Sequence, residues 1–161
     1  ISHLPSTPSL MINIQNEIGY NGFLNFSESK LATVIRNNKH RFHNNKAKFI
    51  VLARQFSNIE NILKKQENKR EWIVKNIKGL GYKEASHFLR NTYHLNYAIL
   101  DRHIINILLE ENKLDKKPKV LNKNNYLEIE RLLKKMCDKL NMSQGELDLY
   151  LWYLKTGKVL K

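Results

Sequence analysis

The chain has 161 residues and carries 28 Lys and Arg against 15 Asp and Glu, a formal net charge of +13 with a sequence pI near 9.8. That length suits one domain or two small lobes with a buried core, and the charge excess points to a polyanionic partner, nucleic acid ahead of an anionic membrane. No run approaches the roughly 20 apolar residues of a bilayer span, and the single Cys137 excludes an internal disulfide and any four-cysteine zinc or iron–sulfur site.

Apolar residues recur at i, i+3, i+4 and i+7 from end to end while strict alternation is scarce, which predicts an all-α fold. A first helix runs from about Ser9 to Ile18 and stops at Gly19; a turn at Gly22 leads to a second helix, capped by Ser27 and carrying Leu31, Val34 and Ile35. Both read as short and peripheral. After the polar stretch from Asn37 to Asn45, one long helix carries Ala47, Phe49, Ile50, Leu52, Ala53, Phe56, Ile59, Ile62 and Leu63, a stripe that marks it as the central beam. A short helix, Glu71 to Ile77, is joined by the turn Lys78-Gly-Leu-Gly81 to a helix through Lys83, Ala85, Phe88 and Leu89 that ends near Asn91. A loop then reaches Asp101, whose short carboxylate suits the N-cap of a helix from Arg102 to Glu111. A charged linker, Asn112 to Lys119 with Pro118, precedes two closing helices, about Asn124 to Leu140 and Ser143 to Lys155. Cys137 falls at helical spacing among Leu133, Met136 and Leu140 and reads as buried filler.

In the segment from Ile77 to Ala85, two glycines flank Leu80 just before a helix. Such a hairpin can turn sharply and aim unpaired backbone amides, at the positive end of a helix dipole, toward a phosphate, with Leu80 anchoring it in the core. The same pair of glycines also fits an ordinary turn between two helices. Lys83 stands in the first turn of the second hairpin helix. A neutral amine there can attack an electrophilic sugar carbon and form a Schiff base, although by itself it could equally be one phosphate-binding cation among many. Asp101 follows after a loop long enough to return to the hairpin; a carboxylate at that point can take a proton from the lysine and offset positive charge developing on a deoxyribose ring, alongside its capping role.

Gly79-Leu-Gly-Tyr-Lys-Glu-Ala-Ser-His-Phe-Leu-Arg-Asn91, followed by Ala98-Ile-Leu-Asp-Arg-His-Ile104, resembles the signature of the type 2 8-oxoguanine DNA glycosylase/lyases of the helix-hairpin-helix superfamily. The resemblance implies one glycosylase domain over residues 1–161, two small helical lobes around a long helix, with the hairpin at about 70–91 and the closing helical pair at about 124–155. It places the nucleophile at Lys83 and its carboxylate partner at Asp101. It extends to the C-terminal stretch from Leu151 to Lys161, where Lys161 and Trp152 are expected to read the damaged base, and to Arg41-Phe42, expected to fill the gap left by an extruded nucleotide and contact the orphan cytosine. Backbone at Gly79, Gly81 and Tyr82, together with Arg102, is expected to contact DNA phosphates. For Phe42, Tyr150, Trp152 and Tyr153 the plain alternative is core packing.

The expected reaction is excision of 8-oxoguanine from duplex DNA by Schiff-base chemistry and β-elimination, with no redox cofactor or catalytic metal. His40, His43, His87, His94 and His103 show no helical H-x-x-x-H pair for zinc and read as surface or packing residues. Duplex DNA containing 8-oxoguanine is the expected partner, with no membrane association, no obligate protein partner and a monomeric state, in a prokaryotic cytoplasm at the nucleoid. The first ten residues, with Pro5 and Pro8 and no initiator Met, match the family poorly, and sequence completing the N-terminal helices is expected upstream. Two other readings remain: a helix-hairpin-helix module that binds DNA without catalysis, and a glycosylase with a different damaged-base preference.

Overall fold

The computed structural model describes residues 7–92, 94 and 96–157, with side chains from residue 12 onward, and among these residues it is helical and without strands. The α-helices in chain order are α1 (Thr7–Asn25), α2 (Glu28–Asn37), α3 (His43–Ala53), α4 (Ile59–Lys64), α5 (Lys69–Asn76), α6 (Tyr82–Asn91), α7 (Arg102–Glu110), α8 (Lys123–Leu140) and α9 (Gln144–Thr156). They fall into two compact units: one runs through Lys65 and includes Ile77–Gly79, the other comprises Gln66–Asn76 and the chain from Leu80 onward. Among the described residues no helix is long and apolar enough to cross a membrane.

In the first unit, Ile14, Leu31, Val34, Ile35 and Ala47 close a core to which Ile18, Phe23, Phe26, Ile50 and Val51 add partly buried surface. Each fully buried aliphatic side chain contributes about 1.5–3 kcal/mol, so α2, expected at the periphery, is instead central to its unit. Gly19 leaves helical geometry as expected, at φ 56 and ψ −173, but the helix resumes and Gly22 lies within it, so the expected turn there is absent. The long central helix is also divided. A 3₁₀ turn, Arg54–Phe56, follows α3, and Asn58, at φ −101 and ψ 33, breaks the path before α4. The short polar side chains of Ser57 and Asn58 favour local turns over a continuous helix, and Arg54 is held at the end of α1, its guanidinium donating to the carbonyls of Phe23 in the helix (2.9 Å) and of Phe26 just beyond it (2.6 Å).

The second unit is built on α5 through α9. Its core joins Tyr82, Ala98, Leu100, Ile104, Ile105, Leu108, Tyr126, Ile129, Leu133, Cys137, Leu147 and Leu151, so Cys137 is the buried filler its spacing indicated. The capping is local and follows sequence: Asn122 accepts from the Asn125 amide, and Ser143 and Glu146 form a reciprocal box at the start of α9. Beneath the hairpin a charge is buried. Arg70 on α5 donates to both carboxylate oxygens of Glu130 on α8, at 2.5 and 2.7 Å, and to Ser86 on α6 at 3.1 Å. Its guanidinium also faces the rings of Tyr82, Tyr97 and Tyr126 at 5.0–5.5 Å. Burial works against this charge, yet the Glu130 carboxylate and the phenols hold the Arg70 pKa above its ordinary value.

Removing Glu130 would leave that guanidinium buried and uncompensated. Glu130→Ala is expected to lower unfolding stability by about 3–5 kcal/mol, a drop of about 10 °C in the thermal midpoint, read by circular dichroism; a midpoint within a degree or two of wild type would mean that the pair is not what holds the three helices together.

Candidate active site

The turn between α5 and α6 requires glycine at one position. Gly79 sits at φ 89, and a Cβ there would come within 2.4 Å of the Phe49 ring. Gly81 is extended, at φ −92 and ψ −171, a conformation any residue adopts, and its amide donates to the Glu84 carboxylate at 3.3 Å. The Gly81 amide is thus engaged, and a phosphate bound to it would displace Glu84. Leu80 is half-buried, in keeping with an anchoring role. Tyr82 turns its side chain into the core, where its hydroxyl donates to Glu71, itself paired with Lys123 at 2.8 Å.

A cleft of about 170 Å³ in the second unit is lined by Lys83, His87 and Arg90 of α6, Ile99 and Asp101 of the following segment, and Asp148, Leu149 and Trp152 of α9. Lys83, His87 and Arg90 meet there because positions i, i+4 and i+7 share one helix face. The Lys83 side chain is 46% exposed, with its Nζ 3.9 Å from Glu84, a loose pairing that leaves the amine accessible. Asp101 caps α7 with one oxygen, Oδ1, which accepts from the amides of His103 (2.8 Å) and Ile104 (2.9 Å). Burial, with the charges of Arg90 and Lys83, lowers the His87 pKa, so its imidazole is neutral at pH 7.

The segment that delivers Asp101 is held amide by amide. Asp148, 3% exposed, accepts from the Ile99 amide at 3.3 Å through the oxygen that also receives the Arg90 guanidinium. The Ile99 carbonyl accepts from the Asp101 amide at 2.9 Å. The Tyr126 hydroxyl donates to the Ala98 carbonyl at 2.7 Å and accepts from the Leu100 amide at 3.3 Å. Burial pushes the Tyr126 pKa up to about 12, which keeps the hydroxyl protonated and able to donate. Burial likewise pushes the Asp148 carboxyl up to about 6, against the opposing pull of Arg90 and the Ile99 amide and with a further push from the Asp101 charge.

The sequence family described as 8-oxoguanine DNA glycosylase matches residues 5–142. An 8-oxoguanine DNA glycosylase/AP lyase of Methanocaldococcus jannaschii is 51% identical over 153 residues, which cover 93% of this chain and 73% of the relative. A protein of the same description from Korarchaeum cryptofilum is 45% identical over 87% of this chain and 69% of its own length. The chain belongs to the 8-oxoguanine DNA glycosylase family. Among solved structures, the M. jannaschii 8-oxoguanine glycosylase/lyase in complex with a 15mer DNA containing 8-oxoguanine is similar at a TM-score of 0.89 and 49% identity, covering 96% of this chain and 76% of that one. The 8-oxoguanine DNA glycosylase of Thermotoga maritima is similar at a TM-score of 0.86 and 39% identity, covering 96% and 75%.

For this member of the glycosylase family, the structure brings Lys83, Asp101 and Trp152 to one cleft. Trp152 is half-buried while Tyr150 and Tyr153 are 56% and 47% exposed, so none of the three is a core aromatic. Arg41 and Phe42 belong to the first unit. There Phe42, 66% exposed, is no core residue either; it holds a left-handed conformation at φ 58 with the Arg41 guanidinium 5.1 Å from its ring. Such a φ is strained for a side chain of that size. Arg102 is exposed beside Asp101, its Nε 3.4 Å from the His103 ring, and Lys161 lies outside the described residues. Among the described residues no three His, Cys, Asp or Glu side chains gather as a metal site would need, and a larger cleft of about 390 Å³ along the linker near Lys116 and Pro118 shares no residue with the Lys83 cleft.

Nothing in the sequence by itself singles out Arg90, Asp148 or Tyr126, and His87 reads there as a surface or packing residue. The one signal for His87 and Arg90 is their helical spacing to Lys83, whereas Asp148 sits on a helix beyond the family match and looks there like an ordinary solvent-facing acid.

Two outcomes follow from these bonds. Asp101→Asn keeps an oxygen for the α7 cap and should leave the thermal midpoint near wild type, whereas Asp101→Ala should cost about 1 kcal/mol in a denaturant titration. The folded Asp148 pKa, about 6, lies above its ordinary 3.8, so folding favours the protonated acid. Its contribution to stability is complete below about pH 4 and is lost as pH rises through about 6. Melting curves of wild type and Asp148→Asn should therefore converge or cross over that window and hold a constant offset above pH 7; an offset independent of pH from 4 to 7 would contradict the assignment.

Proposed function

We propose that this chain is a bifunctional DNA glycosylase and AP lyase that excises 8-oxoguanine from duplex DNA. The observation that carries the reading is the meeting of Lys83, Asp101 and Trp152 in one cleft, on a chain of net charge +13. The basic surface attracts the duplex through its phosphates without reading sequence, and the hairpin at Gly79 and Gly81 holds the backbone beside the lesion. The damaged nucleotide leaves the stack at a cost of a few kcal/mol. Phe42 stacks in the vacated space and Arg41 faces the orphan base, which accounts for a strained, exposed aromatic residue beside a guanidinium. Trp152 offers a face to the extruded base, with Lys161 as its partner in reading it. 8-Oxoguanine carries an N7–H donor and a C8 carbonyl that guanine lacks, so an acceptor at N7 favours the lesion and repels the normal base.

The chemistry assigned to the cleft needs one nucleophile. The neutral Lys83 amine attacks C1′ as the C1′–N9 bond breaks and the base departs with the bonding pair, taking up a proton. Asp101 offsets the positive charge that gathers on the sugar. Ring opening of the C1′ adduct gives a Schiff base, and loss of a C2′ proton expels the 3′ phosphate by β-elimination. Asp101 is suited to its part because Oδ1 is occupied by the helix cap while the other oxygen is left for the sugar. The chain acts as a single glycosylase domain, as a monomer, on DNA in the prokaryotic cytoplasm.

A duplex holding one 8-oxoguanine opposite cytosine, incubated with borohydride, tests this directly. A covalent adduct is expected with wild type on lesion DNA, and none with Lys83→Gln or with an undamaged duplex. Asp101→Asn should fold normally and excise about 10²–10³-fold more slowly. Binding by both wild type and Lys83→Gln with no trapped adduct from either would leave a non-catalytic DNA-binding module as the better account.

A further inference from the structure

The excision chemistry assigned to Lys83 and Asp101 demands that two groups from different parts of the chain keep a fixed spacing, and a misplacement of about 1 Å can cost about 100-fold in rate. Lys83 rides on α6. Asp101 ends an irregular segment, Ala98 to Leu100, with no regular backbone pairing to hold it. We propose that Arg90 and Asp148 are positioning residues for this reaction: the buried ion pair between them locks the helix that bears Lys83 to the segment that bears Asp101. The inference rests on the proposed glycosylase and lyase activity.

Three observations carry it. One oxygen of Asp148 receives both the Arg90 guanidinium and the Ile99 amide, so α6 and the Asp101 segment share a single anchoring atom on α9. From there the link to Asp101 is short: the Ile99 carbonyl accepts from the Asp101 amide at 2.9 Å, and Asp101 is then fixed by its own cap on α7. Arg90 stands two helical turns beyond Lys83 on the same face, and both members of the pair line the cleft with Lys83 and Asp101.

Stability alone does not account for the pair. Its side chains are 15% and 4% exposed, and a buried ion pair seldom outperforms well-packed apolar residues of similar volume. Burial also raises the Asp148 pKa, so in this setting the charged form of the acid is held at a cost. Arg70 and Glu130 show the contrasting case, a bidentate pair enclosed by three tyrosine rings and lining neither cleft. An uncharged pair could fill the space of Arg90 and Asp148 but would not join α6 and the Asp101 segment at one charged atom.

The test compares wild type, Asp148→Asn and Arg90→Lys in the full chain by single-turnover excision at saturating enzyme on the 8-oxoguanine duplex. Affinity is read on a duplex carrying a non-cleavable abasic analogue, and folding by thermal melting. Asp148→Asn, which keeps an acceptor for Ile99 and loses the charge, should slow excision about 10- to 100-fold while affinity changes less than about 3-fold and the protein stays folded at the assay temperature. Arg90→Lys, which keeps the charge and loses the fork, should recover part of that rate. Should Asp148→Asn fail to fold, Arg90→Lys decides: folded, tight-binding and slow upholds the pair, and wild-type excision overturns it. A folded Asp148→Asn that excises at the wild-type rate, or one whose slower rate is matched by lost affinity, overturns it as well. Absence of excision by wild type itself would sink the underlying activity, and the positioning role with it; wild-type excision with Lys83→Gln inactive and Asp148→Asn normal would sink the positioning role alone.

Discussion

The second unit depends on a charge that had to be buried and was therefore surrounded. Arg70 enters the interior from α5 and is met by Glu130 from α8, Ser86 from α6 and three tyrosine rings. An unpaired guanidinium in that place would cost about 3–5 kcal/mol. The three helices accordingly have one arrangement that satisfies it, and α6 inherits a fixed direction. Lys83, His87 and Arg90 of α6 are thereby aimed by a network to which that helix contributes only Tyr82 and Ser86.

A second layer of constraint acts on irregular chain. Residues 98–101 form neither helix nor strand, yet the amides of Ile99, Leu100 and Asp101 all have partners, supplied by Asp148, Tyr126 and the Ile99 carbonyl. Buried backbone polar groups must be paired, and here the requirement is met by side chains projecting from α8 and α9. The result is an irregular loop whose amides are paired and which ends in the carboxylate that caps α7. One hydroxyl, from Tyr126, and one carboxyl, from Asp148, hold the approach to the cleft.

In the first unit, Phe42 and Arg41 are displayed rather than packed. Positive φ at both Lys39 and Phe42 brackets Arg41 in a short connection between α2 and α3, and a ring left 66% exposed has forgone its own burial. That conformation sits on a firm base, since α2 and α3 pack closely and share the core of Leu31, Val34, Ile35 and Ala47. Strain of this kind persists where the surrounding structure over-determines it.

Local chemistry made much of this legible from sequence. Helix periodicity located α6 to α9 within a residue or two; Ser27 and Asp101 as caps follow from side-chain oxygens meeting amides two or three residues away; the glycine at position 79 and the lysine at position 83 belong to one short segment. Interactions between distant residues were not legible. The apolar stripe from Ala47 to Leu63 reads as one helix, and only the Arg54 bonds to the carbonyls of Phe23 and Phe26, together with the turn at Asn58, show why it is two. Asp148 is one acid among 15 Asp and Glu until α9 packs it against Ile99 and Arg90, because burial and pairing are properties of the assembled chain. Sequence by itself determined an all-helical fold and a strongly basic chain, since the first rests on periodicity within a few residues and the second on summed charge. Tertiary structure alone decided which groups share the cleft and which charges lie buried, since those depend on contacts that sequence separation hides.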